Sequence, residues 1–257
     1  MITGIVITLN EQEKIVSVIE NLKNVCDEII VVDSQSNDET PNLAKSLGAK
    51  VICQPYLGDG YQKNIGIPHA KNDWILSLDA DEQLDKDAIK TIKNLKIDTF
   101  NSDMSFEISR KTYIGNRWIK YCGWYPDKCV RLFNRKTARW KETIAHSQVI
   151  GAEICPLDGH IIHHSFLDYS DMFHKANRFS NRAAKQLLES SKKVGPFSPF
   201  FHGLSAFIKT YFLKRGILDG VDGLTASIYI SLCSYLKYAK TLEARKTNQI
   251  KRGFWKS

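Results

Sequence analysis

Apolar positions along the chain follow two rhythms, and the change from one to the other falls near residue 100. In the first hundred residues short apolar runs alternate with segments of helical spacing. Ile2–Thr8, Glu28–Asp33, Lys50–Cys53 and Trp74–Leu78 are rich in β-branched residues and have the length of buried strands. After Asn10, read as an N-cap, Ile15, Val18, Ile19 and Leu22 recur on one helical face. A helix over 40–47 stops at Gly48, Gly60–Ala70 reads as helical, and another helix is expected near Asp85–Leu95. Strands alternating with helices predict an α/β fold whose mostly parallel sheet is covered on both faces. Ligands of such sheets collect at the carboxyl ends of the strands. Thr8-Leu9-Asn10, Asp33 and Asp79-Ala80-Asp81 all fall there.

Past residue 100 the pattern predicts strands at Ser105–Ser109, Lys128–Phe133 and Arg139–Ser147, a mixed or antiparallel extension of the sheet. From Asp168 it becomes helical, with Met172, Ala176, Phe179, Ala183 and Leu187 as one stripe. A break at Lys192–Pro199 precedes helices at about 201–215 and 221–245. The expected division is a domain at 1–165, itself in halves 1–100 and 101–165, and a helical region at 166–257.

Charge sharpens that division. Residues 1–100 hold ten basic and sixteen acidic side chains, whereas 101–257 hold twenty-six and twelve. An acidic first part suits a site that works with carboxylates, and a basic remainder suits a surface that meets an anion. Ordinary apolar and charged fractions exclude disorder, collagen and coiled coil. The six cysteines form no CxxC pair and show no metal-ligand spacing, which predicts reduced thiols and a cytoplasmic protein. MITGIVITLNEQE has no basic n-region of a signal peptide. No run of about 18 uninterrupted apolar residues predicts a spanning helix, so membrane contact is expected to be peripheral.

The sharpest chemical signal is Ser77-Leu78-Asp79-Ala80-Asp81-Glu82. Two carboxylates brought together at a strand end repel, and each raises the other's pKa unless a cation intervenes. Mg²⁺ or Mn²⁺ takes one or two protein carboxylates and completes its shell with phosphate oxygens. The pair therefore suits an enzyme that neutralises a departing diphosphate, the bland alternative being a solvated turn. Asp33 closes a strand where a carboxylate could accept hydrogen bonds from a base or ribose, or else form an Asx-turn. Gln62-Lys63-Asn64-Ile65-Gly66 places a cation near a helix start, where phosphate binds, or simply carries a surface lysine.

The ITLNE opening, VVDSQSNDET, the QKNIG segment and SLDADE occur in an order and spacing that resemble the inverting family 2 glycosyltransferases of GT-A fold, over about residues 1–165. Gly123-Trp124-Tyr125-Pro126-Asp127, Val130-Arg131-Leu132-Phe133 and KRGILDGVDG (214–223) further resemble the branch of bacterial lipopolysaccharide-core glucosyltransferases acting on inner-core heptose. The resemblance makes 1–100 the nucleotide-sugar half and 101–165 the acceptor half. It implies that Thr8 and Asp33, with Asn10 alongside, hold the uridine. Lys63 would lie along the diphosphate, Asp79 would reach the ribose or the metal's shell, and Asp81 would ligate the metal. The implied donor is a UDP-hexose, UDP-glucose first, with Mg²⁺ or Mn²⁺ as cofactor.

Inverting transfer needs a base on the acceptor hydroxyl, opposite the leaving group. The related branch often has His-Glu after its RLF segment, and this chain has His146-Ser147 instead. Glu142 and Asp127 are therefore the leading candidates for the base, ahead of His146. Of His160, His163 and His164, His164 is the candidate for a further metal ligand, and a core or loop role is its bland counterpart.

Lys237–Ser257 carries seven basic residues and one acid, Glu243, and follows an apolar stripe of Leu224, Ile228, Leu232, Tyr235 and Ala239. Phe200, Phe201, Phe207, Tyr211 and Phe212 add aromatics. A basic, aromatic, amphipathic segment suits the headgroup zone of an anionic inner membrane, here its cytoplasmic face. No nucleic-acid-binding pattern accompanies the charge. The expected activity is transfer of hexose from UDP to a saccharide hydroxyl, inner-core heptose first. The alternatives are another envelope polysaccharide or a protein acceptor, a sugar-nucleotide nucleotidyltransferase, and a non-catalytic membrane adaptor.

Overall fold

A computed structural model of the chain describes residues 1–97, 100, 102–143, 147–190 and 192–246. It forms two compact units, the first made of Met1–Lys111 and Asp127–His163, the second of Thr112–Pro126 and the chain from His164. Residues 112–126, counted from sequence with the α/β part, thus group with the helical unit.

In the first unit β1 (Ile2–Thr8), β2 (Glu28–Asp33), β3 (Lys50–Cys53) and β4 (Trp74–Asp79) pair in parallel, in the order β3-β2-β1-β4. Helices α1 (Ile15–Leu22), α2 (Thr40–Ser46) and α3 (Asp59–Gly66) connect them. Alternation along the strands explains the two covered faces. Val6, Val31 and Leu76 join Ile15, Val18, Ile19 and Leu22 of α1 in one core. Their neighbours Ile5, Ile30 and Ile75 join Phe133 and Trp140 in the other.

Beyond β4 lie β5 (Glu82–Leu84), α4 (Lys86–Asn94), β6 (Met104–Ile114), β7 (Arg117–Trp118), β8 (Asp127–Asn134), β9 (Arg139–Trp140), β10 (Val149–Ile150) and β11 (Glu153–Phe166). β8 runs antiparallel to β4 and β6, and β11 antiparallel to β5, which gives the mixed extension. Three expectations are corrected. Of Arg139–Ser147, only Arg139–Trp140 is strand among the described residues, and β10 pairs with that short piece. β11 was not foreseen, because Pro156, Gly159 and three histidines hide its period. Asn10 does not cap α1. The helix starts at Ile15 after Lys14, and Asn10 takes a left-handed turn with φ 55°.

The second unit contains β7, α5 (Tyr169–Glu189), α6 (Ser198–Ile208) and α7 (Gly220–Lys246), the last two joined by tight helical turns over 209–219. α5 buries Met172, Ala176, Ser180, Ala184 and Leu187, while Phe179 of the expected stripe is exposed. α5 packs along α7, whose buried residues are Gly223, Ala226, Ser227, Thr241 and Ala244 together with Tyr229. The residues just before the Gly123–Asp127 motif meet the 214–223 stretch here. Tyr121 N–H donates to Asp219 at 2.7 Å, Cys122 N–H to the Lys214 carbonyl at 3.1 Å, and the buried Cys122 thiol to the Gly223 carbonyl at 3.4 Å. Gly216–Lys246 is long and apolar enough to cross a membrane by length and composition alone. Glycine, serine and threonine punctuate it, so it holds no uninterrupted apolar run of spanning length.

Candidate functional site

β1, β2 and β4 end level with one another: Thr8 is in register with Asp33, and Ile7 with Asp79. β4 stops at Asp79 and β5 begins at Glu82, so Ala80 and Asp81 form the turn between them. The paired aspartates do not face the same partners. Asp79 Oδ1 lies 3.0 Å from Lys63 Nζ, and its Oδ2 lies 3.2 Å from the Arg131 guanidinium. Burial pushes the Asp79 carboxyl up, but Lys63 and Arg131 outweigh it and hold it well below the usual carboxylate range.

These contacts belong to a longer chain of alternating charge. Lys63 Nζ also meets Asp59 at 3.0 Å. On the other side Arg131 reaches Glu82 at 2.6 Å, Glu82 accepts from Arg110 at 2.8 Å, and Arg110 donates to Asp127 through Nε at 2.9 Å and Nη2 at 2.6 Å. Glu82 is fully buried, and its second oxygen takes the Asp79 backbone N–H at 3.0 Å. Lys63 and Arg131 both stack over Trp140, 4.6 and 5.6 Å from the ring centroid. A buried charge is tolerable when every neighbour compensates it. Here that condition locks the aspartate turn to α3, β6 and β8.

Asp81 faces a different group. Its Oδ2 lies 3.3 Å from His163 Nε2, and this contact outweighs burial to lower its pKa. His163 sits opposite Glu82 in the β11–β5 ladder. The expected histidine was His164. Adjacent strand residues face opposite ways, and His164 packs on the ring of Tyr113 instead. Among the described residues no three His, Cys, Asp or Glu side chains gather as a metal cage. Asp79 already answers two cations, which leaves Asp81, with His163 beside it, as the carboxylate that could hold a cation. So few ligands fit a hard divalent ion that completes its shell with diphosphate and water. They do not fit a structural zinc site.

Of the nucleoside candidates, Thr8 is buried and its hydroxyl has no partner among the described residues. Asp33 is also buried and caps the loop that follows it, accepting from Ser36 N–H at 2.9 Å and Ser36 Oγ at 2.5 Å. Two of its roughly four lone-pair positions remain for a ligand. Asn10 Oδ1 takes Asn37 N–H at 3.0 Å and ties the two strand-end loops together.

The loop after β9 is fastened to α3. Asn64 donates to the Trp140 carbonyl at 2.9 Å and accepts its N–H at 3.1 Å, Gly60 N–H reaches the Thr143 carbonyl, and Ser147 N–H reaches Asp59 at 2.9 Å. A Cβ on Gly60 would stand 1.9 Å from the Lys141 carbonyl oxygen, so glycine is required for that approach. Glu142, on this loop, is exposed and has no partner among the described residues. Asp127 is partly exposed and tied to Arg110. His146 lies outside the described residues.

Sequence reasoning missed Glu82, Arg110 and Arg131, and chose His164 over its neighbour His163. Glu82 and Arg131 stand inside quoted motifs, SLDADE and VRLF, and a buried charge in a strand is itself a signal. Arg110 and His163 carried no local signal, since strand register alone brings them in.

The sequence model for "Glycosyl transferase family 2" matches residues 3–144. An uncharacterized glycosyltransferase of Rickettsia typhi is 34% identical over 94% of this chain and 87% of its own length. A lipopolysaccharide core biosynthesis glycosyltransferase of Rhizobium meliloti is 26% identical over 95% and 94%. Among solved structures, TarS 1–349 of S. aureus aligns over 98% of this chain and 93% of its own at 14% identity and a TM-score of 0.46. Glucosyl-3-phosphoglycerate synthase of Mycobacterium tuberculosis, crystallised with Mn²⁺, UDP and glucosyl-3-phosphoglycerate, aligns over 45% and 44% at 24% identity and a TM-score of 0.33. With the family's pattern matched over more than half its length and a near full-length relative above 30% identity, this chain is a member of glycosyl transferase family 2.

Proposed function

We propose that this glycosyltransferase moves a hexose, glucose first, from UDP to a saccharide hydroxyl of an envelope glycan, with lipopolysaccharide inner-core heptose as the leading acceptor. The observation that carries the reading is the aspartate turn at the end of β4, where Asp79 is held by Lys63 and Arg131 while Asp81 remains for a cation. The near full-length similarity to the R. meliloti lipopolysaccharide core glycosyltransferase supports the acceptor class. The enzyme would work at the cytoplasmic face of the inner membrane, where a lipid-linked acceptor is made available.

Thr8 and Asp33 bind the nucleoside, with Asn10 shaping the loop between them. Lys63 contacts the diphosphate, and its attraction to Asp79 keeps the ammonium extended toward it. A Mg²⁺ or Mn²⁺ ion held by Asp81, with Asp79 at its shell, would compensate the charge of the leaving diphosphate. The acceptor hydroxyl loses its proton to a carboxylate, its oxygen bonds to the anomeric carbon, and the bond to the diphosphate oxygen breaks with inversion. Glu142 is the first candidate for that base, since its carboxylate is uncommitted among the described residues. Asp127 is second, because its carboxylate is already engaged by Arg110.

The test is a donor screen with UDP-hexoses and added Mn²⁺ or Mg²⁺, scoring UDP release with and without heptose-bearing core acceptor. Acceptor-stimulated, metal-dependent release from UDP-glucose is expected. Release that ignores metal, or a preference for another nucleotide, would overturn the reading.

A further inference from the structure

In α6 the usual orientation of an amphipathic helix is reversed. Its inward positions are Pro199, Gly203 and, just beyond the helix, Thr210, all buried. Gly203 lets the backbone close on α7: a Cβ there would stand 3.2 Å from Tyr235 Cβ, and Ser231 Oγ donates to the Gly203 carbonyl at 2.8 Å. The outward positions are apolar. Phe197, Phe201, Leu204 and Ile208 recur at helical spacing, Phe212 and Leu213 extend them, and Phe201 and Leu213 are 62% and 76% exposed. α7 adds Val221 and Ile228, seven residues apart and exposed, while Gly223, Ala226 and Ser227 are buried. Such a continuous run of outward phenylalanine and leucine marks an interaction surface.

Charge selects its occupant. Between Glu189 and Asp219 there is no acidic residue, and there are five basic ones: Lys192, Lys193, Lys209, Lys214 and Arg215. All five are exposed. Asp219 and Asp222, at the far end, are engaged by Tyr121 N–H and by Arg117. Aromatic and aliphatic groups interspersed with lysine, without acid, match the boundary between acyl chains and anionic headgroups. A protein partner surface would be expected to alternate signs.

We infer that residues 197–221 form a membrane-docking surface that lies in the headgroup zone of an anionic bilayer, with Phe201, Phe212 and Leu213 entering the acyl boundary and Lys209, Lys214 and Arg215 at the phosphates. This deepens the membrane-face part of the proposed function and rests on it, but not on the donor chemistry. It moves the contact from the basic segment 237–257, part of which lies outside the described residues. Within that segment Lys240 is committed to α5, where it donates to Asn177, Ser180 and Asn181.

The experiment is vesicle sedimentation of the full chain on mixed phosphatidylglycerol–phosphatidylcholine and on phosphatidylcholine alone. Three variants accompany it: Phe201→Ser/Leu213→Ser, Lys209→Gln/Lys214→Gln, and Lys251→Gln/Arg252→Gln. UDP binding and thermal midpoint are read on the same preparations. Binding to the anionic vesicles is expected to fall at least about tenfold in the first variant, to lose part of its salt dependence in the second, and to persist in the third. UDP binding and the midpoint stay unchanged. Absence of vesicle binding by the unaltered chain, loss only in the third variant, resistance to alkaline carbonate extraction, or a stable dimer that the Phe201/Leu213 change dissociates would each overturn the surface. None of those outcomes touches the donor reading, which fails separately if UDP does not bind.

Discussion

His163 Nε2 stands 3.3 Å from Asp81 Oδ2, on a strand more than 80 residues later in the chain. The antiparallel pairing of β11 with β5 sets this contact by putting His163 opposite Glu82. Moving the ladder by one residue would present His164 instead. The two histidines should therefore behave differently despite being neighbours. His163→Gln is expected to weaken Mn²⁺-dependent UDP binding by about tenfold, the order seen for residues supporting metal ligands. His164→Gln should leave it unchanged, and calorimetric titration of UDP with and without Mn²⁺ tells them apart.

Asp81→Ala removes the carboxylate best placed for a cation without touching the Asp79 pairs. Transfer should fall by about 100-fold or more, with the denaturation midpoint near that of the parent. Normal turnover by this variant would refute the assignment.

Glu82 is expected to matter for stability before catalysis. Glu82→Gln leaves Arg110 and Arg131 facing a neutral amide inside the unit, and breaking such a buried pair costs about 3–5 kcal/mol. Urea unfolding measures the loss. A change under about 1 kcal/mol would mean that solvent already screens the two guanidinium groups.

Acid should weaken the fold through Asp79 and Asp81. Both carboxyls are held below their ordinary value, Asp79 by Lys63 and Arg131 and Asp81 by His163, each against the opposing effect of burial. Groups with depressed folded-state pKa contribute stability that is complete above the unfolded value, near about pH 4, and is lost as pH falls through the folded value. Denaturation midpoints should hold from neutrality to about pH 5 and drop below about 4. In Asp79→Asn the starting value should be lower and the acid slope shallower.

Gly60→Ala tests the clasp between α3 and the loop after β9. The new methyl meets the Lys141 backbone carbonyl, so the loop must move. A loss of about 1–3 kcal/mol is expected from overpacking, with kcat reduced if Glu142 is the base. An unchanged kcat alongside reduced stability would separate Glu142 from the chemistry.

How much of this was written in the sequence depends on range. β1, β2 and β3 begin and end where their apolar runs do, and Thr8, Asp33 and Asp79 fall at the strand ends the pattern indicated. Their signal is local: period, branching and a polar stop. The partners of the aspartates come from α3, β6, β8 and β11, and which residue arrives depends on strand register. Arg131 could be seen as a charge inside an apolar run, while Arg110 and His163 could not be singled out at all. The outward stripe of α6 was visible as aromatics, but its direction was not, since periodicity shows that a helix has two faces and not which one its neighbours cover.

From Asp59 through Lys63, Asp79, Arg131, Glu82 and Arg110 to Asp127, each ionic group leans on the next of opposite sign. Drift at any interior link strands two neighbours at once. The route by which this enzyme can diversify around its aspartate turn therefore runs through coordinated replacements, an acid and a base exchanged together, and a lone substitution there is a dead end that only a second, adjacent change can reopen.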